Sequence, residues 1–136
     1  MQNKKYIVTS FLRYHGKILL LQRSSKVSTY TGKWAGCSGY LEEKNEDPDK
    51  RAIIEIQEEL KIPSDQITLI KKGDPLEIID KKTTWVVHPY LFETETDQIQ
   101  LDWEHQNYIW LYPEEIETIN LETVPKLRET FDQVKE

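Results

Sequence analysis

A short amphipathic helix between residues 47 and 63 is the feature that most limits the folds open to this chain of 136 residues. Asp47 is a residue type that caps helices, and Pro48 follows it at the first helical position, where the fixed φ of proline is favourable. The helix is expected to run from Pro48 to about Leu60 and to stop near Pro63. At about 100° per residue, one stripe that should face the core contains Ile53, Ile56 and Leu60, with Ala52 at its edge.

The same helix gathers three carboxylates, Glu55, Glu58 and Glu59. We expect Glu55 and Glu58 roughly opposite the apolar stripe and Glu59 nearer its edge. Like charges four residues apart destabilise a helix by a few tenths of a kcal/mol. A solvated acidic face is one interpretation. A metal site is the other, because Mg²⁺ takes oxygen ligands and carboxylates one turn apart can share an ion.

Segments rich in β-forming residues lie on both sides of this helix. Before it, YIVTSFLRY and ILLLQRS flank a tight turn at Gly16, a loop covers residues 24–33, and KWAGCSGYL forms a short strand interrupted by glycines. After it come ITLIKKGDPLEII, TTWVVHPYLFETE and NYIWLY, then a helical turn at PEEI and an amphipathic helix over residues 124–136. Without a regular βαβ alternation, this order predicts an α+β fold with helices packed on a mixed sheet.

Composition narrows the classes of function. The net charge of −6 disfavours nonspecific binding to nucleic acid or anionic membranes. Cys37 is the only cysteine, so no disulfide or Cys-based zinc site can form within the chain. The N-terminal segment has no apolar core of a signal peptide, and no stretch approaches the roughly 20 apolar residues of a membrane span, so we expect a cytoplasmic protein.

Residues 39–62, GYLEEKNEDPDKRAIIEIQEELKI, resemble the Nudix box. Its pattern is a glycine, five residues, a glutamate, seven residues and R-E-U-x-E-E-x-G-U, where U is aliphatic. With 16 glutamates in 136 residues, four at preset positions arise by chance roughly once in five thousand starting points. Seven of the nine defined positions match: Gly39, Glu46, Glu55, Ile56, Glu58, Glu59 and Ile62.

Three departures separate the segment from the pattern. The loop between its glycine and first glutamate holds six residues instead of five, Lys61 replaces the late glycine, and Ile54 replaces the arginine. In the family, that arginine hydrogen-bonds the glutamates and sets their orientation. Arg51 precedes Glu55 by four residues, and we expect it to substitute in part; the alternative is an exposed ion pair worth a few tenths of a kcal/mol.

The resemblance extends over nearly the whole chain and implies one domain, residues 1–136, with an α/β/α sandwich around a mixed sheet. It implies Mg²⁺ or Mn²⁺ held by Glu55, Glu58 and Glu59, with help from the Gly39 carbonyl and from Glu46 in the loop. Many relatives dimerise, so a homodimer stays open.

Residues outside the box receive roles from the same resemblance. Arg23 and, more weakly, Lys33 are candidates for binding phosphate. Trp103 is a candidate for stacking on a nucleobase, with packing in the core as the alternative. Glu104 is a candidate catalytic residue that orients or deprotonates the attacking water, although Glu55 and Glu58 can do the same.

The predicted function is a metal-dependent hydrolase that cleaves the diphosphate of a nucleoside diphosphate derivative by attack of water on phosphorus. The derivative can be a nucleotide sugar, an ADP-ribose-like molecule, a dinucleoside polyphosphate or a (d)NTP. One alternative is a nucleotide-binding module with little turnover, because Ile54 leaves the carboxylates misaligned. Another is an isomerase, since WAGCSG is distantly similar to isopentenyl diphosphate isomerases; the histidines that hold metal there are missing, which favours Cys37 as a buried strand residue.

Overall fold

The computed structural model describes residues 3–43 and 45–136. In these ranges, eight strands join in one sheet, and three α-helices and a 3₁₀ turn at Ser64–Gln66 complete the fold. The strands are β1 (Asn3–Tyr14), β2 (Lys17–Arg23), β3 (Trp34–Ala35), β4 (Cys37–Tyr40), β5 (Ile67–Lys72), β6 (Leu76–Asp80), β7 (Thr83–Thr94) and β8 (His105–Leu111). The helices are α1 (Pro48–Leu60), α2 (Pro113–Thr118) and α3 (Leu127–Asp132).

The sheet is mixed, as predicted. Its central order is β3-β2-β1-β7-β5, while β4 pairs with β1, β6 with β7 and β8 with β2. Strands β1 and β7 run parallel, and the other pairs are antiparallel. The segment ITLIKKGDPLEII, read as one β-rich run, forms two strands because Gly73, Asp74 and Pro75 interrupt it, and both strands pair with β7.

Two apolar cores lie on opposite faces of the sheet and give the α/β/α layering. On one face, α1 packs its Ala52, Ile56 and Leu60 against β1, β2 and β7. On the other face, α2 and α3 contribute Ile116, Leu127 and Phe131 to a second cluster. Within the described residues, no helix has the length and apolar character needed to cross a membrane.

Helix α1 has the predicted bounds. The side chain of Asp47 accepts a hydrogen bond from the backbone N–H of Asp49, and Pro48 opens the first turn. Lys61 ends the helix in a left-handed conformation with φ of 59°, at the position where the box pattern has glycine.

The orientation of α1 differs from the prediction. Ala52, Ile56, Glu59 and Leu60 are buried, whereas Ile53 is only half-buried. The buried stripe is therefore centred nearer Ala52 than expected. This rotation places the carboxyl group of Glu55 on the flank of the helix, beside strand β4.

The predicted terminal helix is shorter than residues 124–136. Helix α3 covers only Leu127–Asp132, because Lys126 before it adopts a left-handed conformation with φ of 61°. Its apolar residues still reach the core, since Leu127, Phe131 and Val134 are at most 4% exposed.

Candidate active site

An open pocket of about 400 Å³ begins at the α1 carboxylates and extends over the face of the sheet that is opposite α1. Seven residues predicted from the sequence contribute to its lining: Arg23, Gly39, Arg51, Glu55, Glu58, Trp103 and Glu104. The structure therefore brings together groups that are up to 81 positions apart in the chain, from Arg23 to Glu104. Three further predicted residues, Lys33, Glu46 and Glu59, are not part of this lining.

The glycine of the motif has a steric role. A Cβ atom built on Gly39 would overlap the carboxyl end of the Glu55 side chain, so any residue larger than glycine would push that side chain out of its position. Strand β4 and helix α1 thus touch where Gly39 has no side chain. The close contact lets the carboxyl group of Glu55 lie directly against the strand and face the pocket.

Arg51 joins two glutamates of the motif. Its Nε donates to Oε2 of Glu46 at 2.6 Å, and its Nη1 donates to Oε2 of Glu55 at 3.1 Å. The side chain of Arg51 is only 14% exposed, so this is not the exposed ion pair considered as an alternative. Ile54, which replaces the family's arginine, is 37% exposed instead.

Glu59 is the buried member of the carboxylate cluster. Its side chain is 2% exposed, and its Oε2 has no hydrogen-bond partner within the described residues. Burial, a hydrogen bond shared with Glu55 and the nearby charge of Glu104 raise the pKa of Glu59 well above its ordinary value. Without a cation, this environment therefore favours the neutral form of the carboxyl group more than solvent would.

Glu104 lies in the pocket beside Asp102. Partial burial raises the pKa of Glu104 to about 7, with smaller contributions from the charges of Asp102 and Glu55, while Arg23 opposes the shift. A carboxyl group with such a pKa exchanges its proton near neutral pH, which suits a general base.

Arg23 and Trp103 have the pocket-facing positions that their predicted roles require. The guanidinium of Arg23 donates from Nε to the carbonyl oxygen of Thr29 at 2.9 Å and from Nη2 to Oγ1 of Thr29 at 3.2 Å. These bonds fix the guanidinium at the pocket wall. The side chain of Trp103 is 60% exposed at the pocket rim, which rules out the alternative of core packing.

The far end of the pocket is apolar and aromatic, and sequence reasoning missed it. Strands β1, β6 and β7 contribute the side chains of Ile7, Ile78, Trp85 and Val87. Trp85 also lies between two tyrosine rings, with centroid distances of 6.1 Å to both Tyr30 and Tyr40. Alternation along YIVTS and TTWVV indicated strands, but only the pairing of β1 with β7 shows that these residues share one face.

Comparison with known proteins identifies the family. A family model described as NUDIX domain matches residues 4–134. The chain belongs to the Nudix family. It is accordingly a hydrolase that acts on acid anhydrides in phosphorus-containing compounds.

Solved structures share the Nudix fold of this chain. A MutT protein from Methanosarcina mazei Go1 superposes with a TM-score of 0.81 at 23% identity, covering 96% of this chain and 92% of that one. A C. elegans Ap4A hydrolase, solved as a binary complex, gives a TM-score of 0.72 at 24% identity, with 96% and 93% covered. A MutT Nudix hydrolase from Burkholderia pseudomallei gives 0.73 at 21% identity, with 98% and 100% covered. Among proteins of curated function, none matches the sequence significantly.

Nudix proteins generally depend on divalent metals, and the carboxylates of α1 are the candidate ligands in this chain. As the side chains lie, no three His, Cys, Asp or Glu residues within 3–43 and 45–136 form a ready cation site. Oε2 of Glu55 accepts a hydrogen bond from Arg51 instead. The donors nevertheless fit Mg²⁺ or Mn²⁺, because they are hard oxygens and Glu59 has a buried oxygen without a partner.

Besides Glu59, the residues outside the pocket lining that the sequence analysis discussed include Lys33, Glu46 and Cys37. Lys33 directs its Nζ to Oε2 of Glu122 at 2.7 Å, so the structure does not bring it to the predicted phosphate site. Glu46 accepts from the backbone N–H of Glu42 at 2.7 Å and fastens the loop to Arg51. Cys37 is 2% exposed, and burial raises the pKa of its thiol, which agrees with a structural role in β4.

One residue near the Nudix carboxylates received no role from the sequence. His105 is buried, with its Nε2 3.6 Å from Oε1 of Glu59 and its Nδ1 3.4 Å from Oδ1 of Asp102. The sequence showed this histidine just before a strand. Its proximity to Glu59 depends on the pairing of β8 with β2, which no local pattern reveals.

Proposed function

We propose that this Nudix hydrolase is a metal-dependent pyrophosphohydrolase that cleaves the diphosphate bond of a nucleoside diphosphate derivative. The supporting observation is the composition of its pocket. Carboxylates and an arginine lie at one end, and an apolar surface with aromatic rings lies at the other. A ligand that suits both ends needs an anionic part and a flat, apolar part, and a nucleotide has both.

The aromatic end is suited to a nucleobase. Trp85, Tyr30 and Tyr40 present rings, while Ile7 and Val87 form an apolar floor on the sheet. Bases stack on aromatic side chains with about 1–3 kcal/mol per contact. The indole N–H of Trp85 donates to the hydroxyl of Tyr30 at 3.1 Å, and that hydroxyl donates to Asp80, so the wall is held in place before a ligand arrives.

The carboxylate end is suited to a diphosphate bound through metal. Mg²⁺ or Mn²⁺ would be held by Glu55, Glu58 and Glu59 with the carbonyl oxygen of Gly39. When bound, such an ion neutralises charge on the phosphates and lowers the pKa of a coordinated water. Arg23, fixed by Thr29, is placed to donate to phosphate oxygens from the opposite wall.

Glu104 is the proposed general base. With a pKa of about 7, it is partly ionised at neutral pH and can accept a proton from water as the water attacks phosphorus. The anhydride oxygen leaves with one phosphate half, and the attacking oxygen stays on the other half. The products are a nucleoside monophosphate, or another phosphorylated moiety, and the remaining phosphate half.

The rest of the proposal concerns the setting of the enzyme. We propose that residues 1–136 act as a single domain in the cytoplasm on small nucleotides, without nucleic-acid or membrane partners. A homodimer stays open.

A substrate panel tests this proposal. Purified protein is incubated with nucleotide sugars, ADP-ribose, dinucleoside polyphosphates and (d)NTPs in Mg²⁺, in Mn²⁺ and in EDTA, and phosphate products are measured. We expect cleavage of at least one class with Mg²⁺ or Mn²⁺ and none with EDTA. Glu58→Gln should lower kcat by about 10²-fold or more, whereas Glu95→Gln, on the exposed surface, should not.

The same panel separates the enzyme from the binding module. Isothermal titration calorimetry in Ca²⁺ measures nucleotide binding separately from cleavage. Tight binding of a panel member without cleavage in any metal would overturn the proposed activity and support the binder. Cleavage that persists in EDTA would overturn the metal dependence.

A further inference from the structure

We propose that His105 is a positioning residue that holds the carboxylate of Glu59 in the orientation needed to bind the metal. The proposal rests on the proposed function, in which Glu59 is a metal ligand. His105 itself touches neither metal nor substrate in this account. It acts through Glu59.

Burial makes the contact between the two residues important. The side chains of Glu59 and His105 are 2% and 3% exposed, and Oε1 of Glu59 lies 3.6 Å from Nε2 of His105. Oε2 of Glu59 has no hydrogen-bond partner among the described residues. Water cannot reorient a carboxylate in this position, so its orientation depends on the few polar groups around it.

An irregularity in strand pairing brings His105 to this position. Leu21 packs in the α1 cluster and pairs with Tyr108, so strict alternation would place Gln106 on the same face as Tyr108. The register shifts between Gln22 and Arg23, and Arg23 pairs with His105. This bulge turns the imidazole of His105 toward α1 in place of Gln106.

Asp102 lies on the other side of the imidazole, although Nδ1 of His105 makes no hydrogen bond within the described residues. Its Oδ1 lies 3.4 Å from Nδ1 of His105 and also accepts the backbone N–H of Glu104 at 3.1 Å. The order is therefore Asp102, His105, Glu59. Carboxylates that bind metals are oriented by neighbouring polar groups, and the loss of such a neighbour typically lowers metal affinity by roughly 10–100-fold.

Two amide substitutions separate this role from simple packing. The amide nitrogen of glutamine can occupy the place of Nε2, whereas that of asparagine can occupy only the place of Nδ1. Mn²⁺ alone serves as the probe, and free Mn²⁺ is measured by electron paramagnetic resonance during titration of substrate-free protein. His88→Gln, a half-buried histidine on β7 outside the pocket, is the matched control.

We expect His105→Gln to retain Mn²⁺ affinity within about threefold and His105→Asn to lose roughly 10-fold or more. Melting temperatures of the variants, measured without metal, should lie close together. Equal affinity in all variants, or equal loss in both His105 variants at matched stability, would overturn the proposal. Wild-type protein that fails to bind Mn²⁺ would overturn the metal site of the proposed function as well.

A measurement on the wild-type protein covers the case in which a variant does not fold. The ¹⁵N shifts of the imidazole nitrogens are followed during addition of diamagnetic Mg²⁺. Nε2 of His105 should shift as Mg²⁺ saturates its site, while the nitrogens of His88 should not. A His105 spectrum unchanged by saturating Mg²⁺ would contradict the proposed contact.

Discussion

The guanidinium of Arg51 donates to the carboxylate of Glu55 one helical turn later, with 3.1 Å between Nη1 and Oε2. The same guanidinium binds Glu46 in the preceding loop. Arg51 thus contacts two glutamates of the Nudix box although it stands three positions before the family's arginine. This arrangement supports the hypothesis that Arg51 substitutes in part for the residue that Ile54 replaces.

Removing Arg51 should weaken the site. Arg51→Ala leaves Glu55 without its cationic partner next to Glu59, so we expect Mn²⁺ affinity and kcat/KM each to fall roughly 10-fold. Lys50→Ala, an exposed neighbour on the same helix, is the control. Full Mg²⁺ affinity and turnover in Arg51→Ala would show that the substitution hypothesis is wrong.

Restoring the family's arginine provides a second test of that hypothesis. Ile54 is 37% exposed, so Ile54→Arg should change the free energy of unfolding by less than about 0.5 kcal/mol. We expect Ile54→Arg to recover part of the kcat/KM lost in Arg51→Ala and to add little to the wild-type protein. The measurement is kcat/KM for the two single variants and the double variant.

Gly39→Ala should damage both stability and the site. The added Cβ would overlap the carboxyl end of Glu55, so this side chain must leave its place against strand β4 or strain the contact between β4 and α1. Overpacking of this kind costs about 1–3 kcal/mol, which urea unfolding can measure. In a Glu55→Ala background the clash partner is absent, so the same substitution should cost much less; an equal cost in both backgrounds would refute the steric account.

The pH dependence of Glu104 follows from its raised pKa. Activity needs the ionised form, so kcat/KM should rise with pH and level off above about pH 7. Glu104→Gln should lower kcat by about 10²–10⁴-fold and remove that limb of the profile. An unchanged acidic limb in the variant would assign the base to another group.

The same shift predicts a change in stability. The folded pKa of about 7 lies above the ordinary value of 4.5, so the folded protein binds more protons than the unfolded chain between these values. The metal-free wild type should therefore lose stability relative to Glu104→Gln as pH rises from 4.5 to 7. Urea unfolding of both proteins at several pH values measures this difference.

Arg23 and Lys33, both predicted phosphate ligands, should now behave differently. Arg23→Lys removes the guanidinium group that Thr29 holds in place within the pocket, so we expect KM to rise about 10-fold. Lys33 pairs with Glu122 outside the lining, so Lys33→Ala should leave KM unchanged. Steady-state kinetics on one cleaved substrate compares the two, and a higher KM in Lys33→Ala would restore its predicted role.

Local patterns in the sequence predicted helix α1 and its carboxylates well, because capping and periodicity act over a few residues. Asp47 and Pro48 set the start of the helix as expected. The prediction that Glu55 lies opposite the apolar stripe was wrong. The rotation of the helix depends on how deeply Glu59 is buried, and tertiary packing decides the burial of Glu59. The predicted terminal helix was too long for a similar reason, because periodicity alone does not reveal the left-handed backbone at Lys126.

Contacts between strands that are distant in the chain could not be predicted from the sequence. Trp85 enters the pocket because β7 lies parallel to β1, and His105 reaches Glu59 because β8 is bulged against β2. Pairing and register of this kind are set by the whole sheet. The resemblance predicted Lys33 near the phosphate site. Its ammonium group instead pairs with Glu122, which lies 89 residues later in the chain.

The central claim is that the carboxylate end of the pocket directs water onto phosphorus. A cleaved member of the substrate panel is turned over with Mg²⁺ in ¹⁸O-enriched water, and the products are analysed by mass spectrometry. Our account predicts one ¹⁸O on a phosphate group of one product and no incorporation in Glu58→Gln over the same time. Products without ¹⁸O on phosphorus, or a label on a carbon-linked oxygen, would contradict it.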